Sequence, residues 1–129
     1  MSAERPRVLV LDDDPDMQVL LQALLEHAGA CAVVAGDAAT AAAALTEPFD
    51  LVLLDLVMPP GVHEALVDLL AGLAAAPPIV LLSGSDRHTL AEARARIDAR
   101  GLVVLDALVK PVRLDALSGL LARCQQQRA

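Results

Sequence analysis

The chain alternates five times between short apolar runs and segments with helical periodicity. The clear strand candidates are Val8–Leu11, Leu51–Leu54, Ile79–Leu82 and a split run at 102–109, and Cys31–Ala35 is a weaker one. Runs that are apolar at every position are typical of strands buried on both faces. Strand and helix alternation with short loops therefore predicts an α/β fold, in which helices cover both faces of one doubly wound parallel sheet.

Residues suited to helix ends separate these runs. Asp14 is a good N-cap with Pro15 at the first helical position, and Gly29 ends that helix. Two starts are open for the fourth helix, at Asp86 or at Thr89 with a capping box. The other helices are expected at about 37–45, 62–73 and 111–124.

The length of 129 residues suits one domain with one substantial core. We expect a single domain over 1–129, with its core at about 7–124 and a polar tail at 125–129. Charges and prolines interrupt the apolar stretches, so no segment qualifies as a membrane span. Residues 1–7 lack the apolar region of a secretion signal. The expected location is therefore cytoplasmic.

Charge and cysteine content narrow the functional classes. The net charge of −7 argues against a nucleic-acid-binding surface. Cys31 and Cys124 lie far apart and match no metal-binding spacing. Both are expected to be buried or half-buried thiols in a reducing compartment.

Polar residues stand directly after four of the apolar runs. Asp12 and Asp13 follow the first run, Asp55 follows Leu51–Leu54, Ser83 follows Ile79–Leu82, and Lys110 follows the last run. The carboxyl ends of parallel strands share one edge of a sheet, and ligands bind there. We therefore expect these side chains to converge in one cleft.

The acidic residues of this set suit a hard divalent cation. Adjacent carboxylates raise each other's pKa, and a bound cation removes that cost. Asp12, Asp13 and Asp55 offer the oxygen ligands that Mg²⁺ (or Mn²⁺) prefers, whereas no Cys/His set for zinc exists. The simpler interpretation is that the acids only cap a helix, but Asp14 alone does that.

The same cleft suits phosphoryl chemistry. Asp55 could attack phosphorus as a carboxylate nucleophile, while Lys110 and the metal neutralise the phosphoryl oxygens and Ser83 donates a hydrogen bond. Each residue alone has a plainer interpretation. Asp55 could start a loop, Ser83 could belong to a turn, and Lys110 could be a solvated lysine. The combination carries the specificity.

Four segments of the chain resemble the receiver domain of two-component response regulators. They are VLVLDDDPD (Val8–Asp16), FDLVLLDLVMP (Phe49–Pro59), PIVLLSG (Pro78–Gly84) and LVKP (Leu108–Pro111). The resemblance extends over about 7–124. It implies a flavodoxin-like (βα)5 fold whose five parallel strands have the order 2-1-3-4-5.

The resemblance also implies a role for each matching residue. Asp55 matches the phospho-accepting aspartate, Asp13 the direct Mg²⁺ ligand, and Asp12 the acid that reaches the metal through water. The backbone carbonyl of Val57 matches a further metal ligand. Ser83 and Lys110 match the hydroxyl and the lysine that contact the phosphoryl group. The bond from this lysine to the following proline is often cis in the family.

The implied partners are a histidine kinase or a histidine phosphotransfer protein as phosphoryl donor, and a downstream protein that the sequence does not identify. Such receivers catalyse their own phosphorylation and dephosphorylation, yet act mainly as signalling switches. No DNA-binding segment is present. The last two helices and the last strand could form a homodimer face, although a plain solvated face fits equally well. Its charged residues are Arg94, Asp98, Asp106 and Arg113.

Three features depart from the family pattern. Ala107 stands where receivers usually have an aromatic switch residue, and His63 lies near the start of the third helix where glycine is usual. We expect His63 to be exposed. The segment from Ser83 to Lys110 looks longer than usual, which predicts a longer fourth helix rich in arginine, namely Arg94, Arg96 and Arg100. This segment is loosely similar to receivers found beside cyclic-di-GMP phosphodiesterase domains.

Two other functions remain open. A binding-only receiver without phosphate turnover would fit the missing aromatic residue at Ala107. A haloacid-dehalogenase-type phosphatase could use Asp12, Asp14, Ser83 and Lys110, but the chain has no cap domain and no acidic pair after the lysine.

Overall fold

The computed structural model describes residues 5–84 and 86–128, with the backbone alone for 125–128. Five strands alternate with five helices along these residues. The sheet has the order β2-β1-β3-β4-β5, and every neighbouring pair is parallel. This confirms the predicted fold and strand order. The elements are β1 (Arg7–Leu11), α1 (Pro15–His27), β2 (Cys31–Ala35), α2 (Ala38–Ala44), β3 (Leu51–Asp55), α3 (Val62–Ala71), β4 (Ile79–Ser83), α4 (Arg87–Ala99), β5 (Val104–Val109) and α5 (Leu114–Arg128).

The sheet has a hydrophobic core on each face, which explains why its central strands are apolar at every position. Alternate residues of a strand point to opposite faces. In β3, Leu51 and Leu53 pack into the core beside α1 and α5, whereas Val52 and Leu54 pack into the core beside α2, α3 and α4. Every residue of β3 and of β4 is buried. The polar residues that end these two strands are therefore held at the ends of fully buried strands.

The helix starts follow the predicted caps, and one open choice is resolved. The Asp14 carboxylate accepts a hydrogen bond from the Asp16 N–H at 3.0 Å, as expected for the N-cap of α1. Asp86 is the N-cap of α4, and Thr89 lies inside the first turn with its N–H donating to the Asp86 carboxylate at 3.2 Å. The start at Asp86 is therefore correct.

Two predicted boundaries were wrong by a few residues. β5 begins at Val104 rather than at residue 102, and its register against β4 shifts between Ile79 and Val80. α5 begins at Leu114 rather than at Pro111, which follows a cis peptide bond. The cis Lys110-Pro111 bond agrees with the implied one. The predicted tail at 125–129 lies outside the described side chains, and the backbone of α5 continues to Arg128.

The expectation for one cysteine was also wrong. Cys31 is exposed, because it is the first residue of an edge strand. Cys124 is buried on α5, and its thiol donates to the Asp50 carbonyl at 3.1 Å. Among the described residues, no helix combines the length and the apolar character needed to cross a lipid bilayer.

Candidate functional site

A cleft lies at the carboxyl edge of the sheet, where the strand order reverses between β1 and β3. Its volume is about 370 Å³. Asp13, Asp55, Val57 and Lys110 all line it, so the structure brings together four of the residues that the sequence singled out. The side chains come from the ends of β1, β3 and β5, which are distant in sequence.

Asp55 and Lys110 form the central contact of the cleft. The Lys110 ammonium Nζ donates to Asp55 Oδ2 at 2.8 Å, and the Val57 N–H donates to Asp55 Oδ1 at 3.0 Å. The Asp55 side chain is only 3% exposed, against 24% for Lys110. The carboxylate is therefore fixed in orientation and remains reachable only from the cleft. These features suit a nucleophile that must meet an electrophile in one geometry.

Asp12 lies fully buried beside Asp55. Its Oδ1 accepts a hydrogen bond from the Asp14 N–H at 2.9 Å, whereas Oδ2 has no partner among the described residues. The pKa of Asp12 is raised to about 6, chiefly by burial and also by the Asp55 carboxylate, while the Asp14 N–H and Lys110 oppose this rise. A buried carboxylate with an unpartnered oxygen destabilises the native state unless a cation neutralises its charge.

This arrangement fits a hard cation. The orphaned Asp12 Oδ2 and the Asp55 carboxylate are oxygen donors, and Asp13 and Val57 are exposed at the mouth of the same cleft. Among the described residues, no three acidic, histidine or cysteine side chains converge as a preformed metal cage. Mg²⁺ does not require one, because it usually keeps several waters and binds one or two carboxylates.

Ser83 is placed differently from the other residues. It is 4% exposed, and its hydroxyl donates to the Gly84 carbonyl at 3.1 Å. It lines a neighbouring cavity of about 240 Å³ beside Leu90 of α4 and Val109 of β5, and is not among the described residues around the acidic cleft. The Lys110 N–H donates to the Ser83 carbonyl at 2.8 Å, so the two residues are joined through the backbone.

Residues 8–122 match the family of the response regulator receiver domain. The chain belongs to this family. Transcriptional activator protein PfeR of Pseudomonas aeruginosa is 33% identical to this receiver over 133 residues, covering 91% of the chain and 42% of that protein. Sensor histidine kinase GacS of Pseudomonas protegens is 45% identical over 60 residues, covering 46% of the chain and 6% of that protein. The receiver therefore spans less than half the length of either relative.

Solved structures share the fold. A sensor protein from Polaromonas sp. JS666 superposes with a TM-score of 0.79 at 28% identity, covering 98% of this receiver and 100% of that chain. The receiver domain of sensor histidine kinase PA1611 from Pseudomonas aeruginosa PAO1 gives a TM-score of 0.76 at 20% identity. The match covers 93% of this receiver and 97% of that chain. That structure is described with a magnesium ion coordinated in its active site cleft.

The departures of this receiver from the family pattern are now located in space. His63 is buried, at 8% exposure, so the expectation of an exposed histidine was wrong. As the second residue of α3 it points between α3 and α4, where both helices cover it. Ala107 is half-buried on β5. Arg94 and Arg96 lie within α4, and Arg100 is its C-cap.

Sequence reasoning missed Gln18. Its side-chain amide Nε2 donates to the Asp12 carbonyl at 2.6 Å, and Gly36 allows this close approach, because a Cβ there would lie 3.2 Å from that nitrogen. Gln18 therefore holds the backbone that carries the acidic pair. Its position on the first turns of α1 was the only available signal, and helical periodicity does not distinguish such a contact from a solvated glutamine.

Proposed function

We propose that this receiver accepts a phosphoryl group on Asp55 from the phosphohistidine of a histidine kinase or a histidine phosphotransfer protein, in a Mg²⁺-dependent reaction. Slow self-hydrolysis then removes the group, and the cycle controls contacts with a downstream protein. The carrying observation is the Asp55 carboxylate, fixed by Lys110 Nζ at 2.8 Å beside the orphaned carboxylate oxygen of Asp12. We treat residues 1–129 as one receiver domain.

Asp13, Asp55 and the Val57 carbonyl would hold the cation directly, and Asp12 would contact it through water. Support comes from the carboxylate oxygens around the cleft and from the magnesium in the related Pseudomonas aeruginosa receiver. When bound, Mg²⁺ (or Mn²⁺) supplies charge neutralisation of the phosphoryl oxygens and of the clustered carboxylates.

In the transfer, an Asp55 carboxylate oxygen forms a bond to phosphorus as the P–N bond of phosphohistidine breaks. The imidazole nitrogen keeps the electron pair of that bond. The Lys110 ammonium, already paired with Asp55, shifts its hydrogen bond to a phosphoryl oxygen. The Ser83 hydroxyl leaves the Gly84 carbonyl and donates to another phosphoryl oxygen. In hydrolysis, water attacks phosphorus and the Asp55 carboxylate leaves.

The position of Ser83 favours one alternative, a binding-only receiver. A binding-only receiver would not need Ser83 at the acidic cleft, and the Ser83 hydroxyl is bonded to Gly84 beside a different cavity. The phosphatase alternative has less support, because the Asp14 carboxylate that it requires is engaged as the N-cap of α1.

We propose that this receiver passes its signal on by self-association through α4, β5 and α5.

The test is labelling by a small phosphodonor. The protein is incubated with acetyl phosphate and Mg²⁺, and intact mass is followed with time. We expect one added phosphoryl group, with no labelling of Asp55→Asn and none in excess EDTA. Asp14→Asn, which alters a neighbouring exposed acid, is the matched control and should be labelled normally. Labelling that survives Asp55→Asn refutes the assignment, and no labelling of the unaltered protein favours the binding-only receiver.

A further inference from the structure

A second cleft lies between α3 and α4, outside the acidic site. Its volume is about 440 Å³, within the range of small-molecule sites. Val67 and Ile97 contribute aliphatic walls, and His63 lines both this cleft and a smaller cavity of about 120 Å³ beside it. A concave apolar surface of this size with a few polar groups is the usual form of a ligand site.

His63, which lines the cleft, carries an unsatisfied polar atom. The side chain is more than nine-tenths buried, and its Nε2 has no hydrogen-bond partner among the described residues. Burial lowers the pKa of His63, and the nearby Arg96 guanidinium lowers it too, against the opposing effects of Glu64 and Asp55. A buried polar atom without a partner is costly, so a ligand that bonded to it would recover that cost.

One guanidinium at the cleft is available to an anionic ligand. Arg100 is paired with Asp68 across the helices, and the Glu64 carboxylate accepts from the Gly61 N–H at 3.0 Å. Arg96 lines both cavities and forms no ion pair with any described residue. The lining carries two carboxylates and two guanidinium groups and is neutral overall, and Arg96 is the cation of the cleft whose guanidinium suits a planar carboxylate ligand.

The smaller cavity beside this cleft shares a wall with the acidic site. Met58 and Pro59 line the smaller cavity on one side and the acidic cleft on the other. They directly follow Val57, whose carbonyl would hold the cation under the proposed function. A ligand beside His63 would therefore press on the loop that carries this carbonyl. By linkage, any effect of such a ligand on metal affinity must be matched by an equal effect of the metal on ligand affinity.

We propose that the α3–α4 cleft is an effector site for a small organic carboxylate. Arg96 binds the carboxylate, His63 Nε2 forms a hydrogen bond, and the aliphatic walls contact the apolar body. The loop at 57–60 couples this site to the acidic cleft. The coupling rests on the proposed function, whereas the binding site does not.

Benzoate serves as the probe and benzamide as its uncharged counterpart. Binding to the full chain is followed by NMR, through the His63 imidazole and the backbone amides of α3 and α4. We expect saturable shifts with benzoate and on the order of 10-fold weaker binding of benzamide. Arg96→Gln should weaken benzoate binding on the order of 10-fold as well. Because Arg96 is exposed, this substitution should leave the fold intact.

The matched control is Arg94→Gln on the same helix. Arg94 reaches the Val104 carbonyl at 3.5 Å on the β5 side, so benzoate affinity should be unchanged. The proposed site would be refuted if Arg96→Gln left benzoate affinity unchanged. It would also be refuted if the benzoate-induced NMR shifts were confined to Lys110 and the acidic cleft.

The coupling is measured by titrating Mg²⁺ with and without saturating benzoate. We expect about a fivefold change in Mg²⁺ affinity and the same factor in the reciprocal titration. Benzoate that binds without altering Mg²⁺ affinity overturns the coupling. Failure of acetyl phosphate labelling together with intact benzoate and Mg²⁺ linkage would reject the proposed function and keep the effector site.

Discussion

Neutralising the buried acid of the site should stabilise the metal-free protein. Asp12 is fully buried, and its pKa is raised from 3.8 to about 6, chiefly by burial. The native state therefore binds this proton more tightly than the unfolded state does. At about 1.36 kcal/mol per pKa unit, ionised Asp12 costs the native state about 3 kcal/mol at alkaline pH. Asp12→Asn removes that cost.

The sign of the pH dependence follows from the raised pKa. The cost is absent below the unfolded value of 3.8, grows as pH rises towards about 6, and is fully present above it. The asparagine oxygen can still accept from the Asp14 N–H, but a neutral acceptor makes a weaker hydrogen bond than a carboxylate. We therefore expect a net gain of about 1–3 kcal/mol in unfolding free energy near pH 8.

Urea unfolding in EDTA measures the gain. Near pH 4.5 the same linkage relation reduces the cost of ionised Asp12 to at most about 1 kcal/mol. The stabilisation by Asp12→Asn should therefore be smaller at that pH. Asp13→Asn is the matched control, because it removes an adjacent but exposed acid and should change stability by less than about 0.5 kcal/mol. Equal effects of Asp12→Asn at the two pH values, or no gain near pH 8, would refute the reasoning.

Three further substitutions test how the fold supports the site. Asp86→Ala removes the cap of α4 and should cost about 1 kcal/mol in urea unfolding; an unchanged midpoint would contradict the cap assignment. Gln18→Leu removes the donor to the Asp12 carbonyl and should lower the unfolding free energy by about 1 kcal/mol. It should also weaken Mg²⁺ binding in calorimetry, and an unchanged Mg²⁺ affinity would mean that Gln18 does not support the site. Leu54→Ala in the central strand should cost about 2–5 kcal/mol of unfolding free energy, and a smaller loss would mean that the core closes over the gap.

The fold could be predicted because each level of the pattern agrees with the next. Two-sided burial requires strands that are apolar throughout, and Leu51–Leu54 and Ile79–Leu82 meet that requirement at 0% exposure. Parallel strands then place their carboxyl ends on one edge, which brings Asp55 and Lys110 together although they are 55 residues apart. The main contact of the cleft follows from topology, without knowledge of any rotamer.

Side-chain direction could not be predicted in the same way. Whether His63 points to solvent or between α3 and α4 depends on how the two helices pack, which no local pattern encodes. Ser83 stands at the predicted strand end, yet its hydroxyl bonds to Gly84 instead of facing the acidic cleft. Cys31 was misjudged because its exposure depends on β2 being the edge strand. Sequence patterns fix positions along elements, whereas rotamers depend on neighbours distant in sequence.

The missing aromatic residue at Ala107 bears on how a signal could leave the acidic cleft. Beside Ser83 the protein has a cavity of about 240 Å³, which Val109 of β5 lines, whereas the half-buried Ala107 is not among its lining residues. The loop at 57–60, in contrast, contacts both the acidic cleft and the His63 cavity. A change at Asp55 can therefore reach α3 and α4 through packed atoms of this loop, since the Asp55 carboxylate is bonded to the Val57 N–H. We expect the response of this receiver to be larger on α3 and α4 than on β5.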